Sequence, residues 1–167
     1  KFSIDSVHWG TDTFIADVTY ENYYEFMLKN RLNPWCIPYD PSDERADRWL
    51  DDPRVNTVLI AGGYAGDAYN NMDDDSKIAR IYDKFKSHPE WMEKAIFYIV
   101  DEPQIHHPNE DHRHHVEDVI DWEKRLDAVW PDSRVIVPLP VVEQYNLNGE
   151  IGDTLTLCAN HTSVLCP

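Results

Sequence analysis

Ala95-Ile96-Phe97-Tyr98-Ile99-Val100-Asp101-Glu102-Pro103 is the stretch on which the fold is decided. An unbroken apolar and aromatic run has the pattern of a strand buried on both faces. Two carboxylates follow it. A proline comes next, which cannot donate to a β-ladder and ends it. Strands buried on both faces belong to parallel sheets covered by helices.

The flanks agree. Upstream, Asp73–Ser87 reads as a helix with Ile78, Ile81, Tyr82 and Phe85 on one face and acids at its start, where the helix dipole favours them. Downstream, His115–Val129 reads as a helix with Val116, Val119, Ile120, Leu126 and Val129 facing inward. Further strands are expected at Phe2–Trp9, Pro34–Pro38, Val55–Ala61, Arg134–Val137 and Thr154–Cys158, the last of the series. A helix is expected at Thr19–Arg31, N-capped by Thr19 and burying Tyr23, Phe26, Met27 and Asn30, and a small one at Ser42–Leu50.

Strand and helix in alternation mean parallel strands joined by crossover helices. About six such strands fit here, whereas a full (β/α)8 barrel takes roughly 250 residues. The expectation is therefore α/β: a partial, TIM-like (β/α)8 barrel forming a single domain over 1–167, an excerpt of a longer chain. An open doubly wound sheet is the alternative. No Gly-x-Gly-x-x-Gly follows the first strand, and Gly62-Gly63-Tyr64-Ala65-Gly66 opens no phosphate-cradling helix.

Composition narrows the function classes. The 167 residues are 42% hydrophobic and 12% aromatic, enough for one core. No apolar run approaches the ~20 residues of a membrane span. A net charge of −16 repels phosphate backbones and anionic lipid, and leaves neutral ligands such as carbohydrate open. The chain begins at Lys1, as a processed precursor or an excerpt does. Three cysteines are an odd count. Cys158 and Cys166 flank the glycosylation sequon Asn160-His161-Thr162, which points to a secreted, oxidising setting. Cys36, in an apolar stretch, reads as a buried thiol.

Asp101 and Glu102 are the candidate catalytic pair. Neighbours inside a strand point to opposite faces, but at a barrel rim the chain bends outward and both acids can address one cavity. Close carboxylates raise each other's proton affinity, which suits one of them to general-acid work. Trp9, Tyr39 and Tyr64 follow strands and are candidates to stack on a pyranose, with Tyr98 on the strand that delivers the acids. Asp40 and Asn160 are candidates to bond sugar hydroxyls, with loop solvation as the plainer account of Asp40. An Asn160 that carries a glycan cannot line a pocket.

Other motifs offer less. The run from His106 to His115 holds competent zinc ligands but no His-Glu-x-x-His, and reads as a solvated loop. Asp73-Asp74-Asp75 lacks the alternate spacing of a calcium loop and reads as a helix start. No Gly-x-Ser-x-Gly elbow is present. Neither a metal nor a cofactor is expected.

The segment from His88 to Pro103 resembles the hallmark of the domain of unknown function 4091 family, relatives of glycoside hydrolase family 123: an aromatic-rich strand followed by Asp-Glu-Pro. Tyr23 to Pro34, ending Arg31-Leu32-Asn33-Pro34, is similar to that family's Leu-x-x-x-Arg-Leu/Ile-Asn/Ser-Pro pattern. Pro89-Glu90-Trp91 stands where a Gly-Trp pair is usual, a departure that leaves the acids untouched. The resemblance implies a barrel glycosidase cleaving β-linked N-acetylhexosaminides, N-acetylgalactosamine being the known case, by a substrate-assisted retaining mechanism. Carried onto this chain, Glu102 would protonate the glycosidic oxygen and Asp101 would orient the substrate's 2-acetamido group. Two other readings stay open: a non-catalytic carbohydrate-binding or structural protein on the same barrel, and a two-carboxylate glycosidase whose second acid lies beyond Pro167.

Overall fold

Ile78, Ile81 and Phe85 are buried along one side of α3 (Asp75–Phe85), with Tyr82 half-buried beside them. The Asp74 side chain caps this helix by accepting the Lys77 amide at 2.9 Å. A computed structural model describes residues 2–4, 17–62, 74–100, 116–138 and 164–166, with side chains over 20–62, 74–100 and 118–138. The chain divides into two compact units, Lys1–Ile96 and Phe97–Pro167, and the division falls within one strand, β4 (Ala95–Tyr98).

In the first unit, β1 (Phe2–Ile4) runs parallel to β2 (Leu32–Pro34), with Phe2 opposite Leu32 and Ile4 opposite Pro34. The connection carries α1 (Asp17–Lys29), as a parallel crossover requires. Arg31 turns the chain from helix into strand with a left-handed backbone (φ 64°), and the Asn30 side chain caps the helix by donating to the Phe26 carbonyl. Beyond β2, the Trp35 carbonyl accepts from Leu59 of β3 (Val58–Gly62), and Val58 N donates to the Lys94 carbonyl. Every residue of β3 is buried, as in a strand covered on both faces. A 3-10 turn (Glu44–Ala46) leads into the one-turn helix α2 (Asp47–Leu50), which delivers Trp49 and Leu50 to the core. The Tyr24 ring meets Trp49 edge-on at 5.0 Å. Another one-turn helix, α4 (Pro89–Met92), seats Trp91 edge-on against Phe85 and stacks His88 on its indole.

In the second unit, the end of β4, β5 (Val135–Pro138) and β6 (Val164–Cys166) form a small parallel sheet. Phe97 lies opposite Val135, and Ile136 opposite Val164. Helix α5 (Val116–Val129) supplies the crossover from β4 to β5, with Val119 and Leu126 buried and Ile120 and Val129 half-buried. Trp130, just past the helix, packs edge-on against Phe97 at 5.2 Å. The chain is thus a mixed α/β protein with short parallel strands and intervening helices.

Several elements depart from the sequence expectation. The strand expected at Pro34–Pro38 lies instead at Leu32–Pro34, because Pro34 has no N–H to continue the ladder and residues 35–39 bend away. α1 starts at Asp17, so Thr19 is inside the helix and not its cap. It buries Tyr24, Met27 and Leu28 and leaves Tyr23 and Phe26 at 38% and 59% exposure, a rotation of the expected face. Asn30 is exposed too, its amide spent on the helix end. β3 starts at Val58 and not Val55, since Asn56 and Thr57 give their N–H groups to the Asn33 side chain. The expected strand Thr154–Cys158 lies outside the described residues, whereas β6, at Val164–Cys166, was not expected.

Candidate functional site

β4 is the element that leads to the candidate acids. Ala95, Ile96 and Phe97 are buried, Tyr98 is half-buried at the strand's end, and Ile99 and Val100 are buried after it. The run from Ala95 to Val100 is therefore buried except at Tyr98. Asp101 and Glu102 lie outside the described residues, as do Trp9, Tyr64, Asn160 and the whole His106–His115 run. Among the described residues no group of three or more His, Cys, Asp or Glu is arranged to hold a metal.

Tyr39 and Asp40 are described, and both are engaged by other side chains. They follow β2 at its C-terminal end, the side on which α/β proteins carry their sites. The Arg45 guanidinium lies 4.2 Å over the Tyr39 ring, so a cation already covers one face of this candidate platform. Asp40 is half-buried and is not merely a solvated loop acid. Its Oδ1 accepts the Ser42 amide at 2.9 Å and the Ser42 hydroxyl at 2.5 Å. Its Oδ2 sits 2.5 Å from Lys77 Nζ in the first turn of α3. Burial acts to raise the Asp40 carboxyl, but the bonds from Lys77 and Ser42 and the lysine's charge outweigh it, so it stays below the usual range. This acid is held ionised, which makes it an acceptor and electrostatic anchor and not a proton donor.

The same helix grips the loop a second time. Lys84, seven residues beyond Lys77, donates to the Pro41 and Asp43 carbonyls at 3.0 and 2.8 Å and pairs with Asp47 at 2.5 Å. Asp43 in turn accepts the Arg45 amide and guanidinium, bonds that draw its carboxyl down to about 2. The chain after β2 is thereby fixed on α3 at both ends of the turn.

Sequence reasoning missed two polar constellations in the same unit. Asn33 is 1% exposed. Its Nδ2 donates to the Pro34 and Thr57 carbonyls and to the Tyr24 hydroxyl, and its Oδ1 accepts from Asn56 and Thr57 N–H. Its position in Arg31-Leu32-Asn33-Pro34 was the available signal: a short amide beside a proline favours local backbone bonding. Arg54 forks onto Glu25 from one side, both bonds at 2.8 Å, and onto Asp52 from the other at 2.6–3.1 Å. Asp52 follows from local spacing, but Glu25 is 29 residues away and leaves no local trace. Cys36 is buried, as the sequence suggests.

Comparison of the chain with protein-family models, with curated proteins and with solved structures gave no match.

Proposed function

We propose that this chain is a stretch of a TIM-like barrel from a secreted glycoside hydrolase acting on β-linked N-acetylhexosaminides. Glu102 is the general acid and Asp101 holds the substrate's acetamido group for attack on the anomeric carbon. The observation that carries the reading is the burial of Ala95, Ile96, Phe97, Ile99 and Val100 along and just beyond a parallel strand, with Asp101 and Glu102 the next two residues in the sequence. A substrate-assisted route needs no enzymic nucleophile, so a pair on one strand end suffices, whereas ordinary retaining enzymes set two carboxyls ~5–5.5 Å apart across the sugar. The acidic surface, at net charge −16, suits a neutral glycan, and the Asn160 sequon fits a secreted glycoprotein.

The test is release of 4-nitrophenol from 4-nitrophenyl N-acetyl-β-D-galactosaminide by the full chain. Turnover is expected, with Glu102→Gln reducing kcat by ~100-fold or more, the general-acid range. The matching galactoside without the acetamido group should not be cleaved. Equal cleavage of both substrates overturns the substrate-assisted mechanism. Sugar binding without turnover of either leaves a carbohydrate-binding protein in place of an enzyme.

A further inference from the structure

No further inference is drawn: the strongest candidate, the side-chain cluster of Lys77, Asp40 and Ser42 where the loop after β2 meets the first turn of α3, belongs to the candidate site already described, and nothing in the structure shows a ligand that it would take.

Discussion

Asn33 and Thr57 bond reciprocally: the Asn33 amide donates to the Thr57 carbonyl at 3.3 Å while its oxygen accepts the Thr57 N–H at 3.0 Å. One side chain thus does what a paired backbone does in a ladder, and it carries the chain from β2 across to the entrance of β3. Asn33→Ala removes these bonds and strands the partner groups of Asn56, Thr57 and Pro34 in a part-buried setting. The expected loss is about 3 kcal/mol in urea unfolding. Asn33→Asp should also destabilise, because an acceptor then faces the Pro34 and Thr57 carbonyls. A loss under ~1 kcal/mol for Asn33→Ala would mean that water replaces the amide.

The Arg54 fork predicts an acid-dependent term. Its hydrogen bonds are the leading influence on Glu25 and on Asp52, and both carboxyls lie below their ordinary values of 4.5 and 3.8. Depressed carboxyls contribute stability that is complete above those ordinary values and is lost as pH falls through the lower, folded ones. Arg54→Met should cost about 1–2 kcal/mol at neutral pH, a modest figure because the guanidinium is 37% exposed and screened. It should also flatten the pH–stability curve below about 4.5, where the wild type falls. Parallel curves for the two proteins would contradict the assignment.

Lys77 should govern the turn at Asp40. In Lys77→Met the Asp40 carboxyl loses its charged partner and titrates higher, readable by carbon-detected NMR. The Ser42 amide, which donates to that carboxylate, should exchange faster by on the order of tenfold, equivalent to ~1.4 kcal/mol of local opening. Lys77→Arg restores the charge and should recover most of the protection. Unchanged exchange in Lys77→Met would show that Lys84 and the burial of Pro41 fix the turn without Lys77.

Cys36 should resist alkylation in the folded protein. It is 3% exposed in an apolar setting, so a thiol reagent reaches it only through opening of the unit. Peptide mapping after a timed iodoacetamide pulse should show labelling slower by at least about a hundredfold than in urea. Labelling of Cys36 at the unfolded rate would place this thiol at the surface.

The sequence made the strongly periodic parts legible. In α3, Ala79, Arg80, Asp83 and Lys84 separate the apolar positions, so Ile78, Ile81 and Phe85, with Tyr82 beside them, define one face. In α1, Tyr20, Tyr23, Tyr24 and Phe26 spread over nearly half of the helix circumference, and periodicity alone cannot choose among them. Tertiary partners chose: Tyr24 met Trp49 and Asn33, while Phe26 stayed outside. α4 spans barely one turn, too short to show a period. At the candidate site, the position of Tyr39 and Asp40 after a strand was readable. The commitment of Asp40 to Lys77 was not, since 37 residues separate two groups that only the fold brings together.

Lys77 and Lys84 are spaced by seven residues, close to two full helical turns, so both ammonium groups leave the same stripe of α3 about 10 Å apart. Substituting an exposed residue between them, such as Arg80, leaves that geometry intact. Inserting or deleting one swings one anchor about 100° around the axis and frees the segment at Pro41 and Asp43. The seven-residue interval, as much as the apolar face, is what keeps this loop attached to the helix.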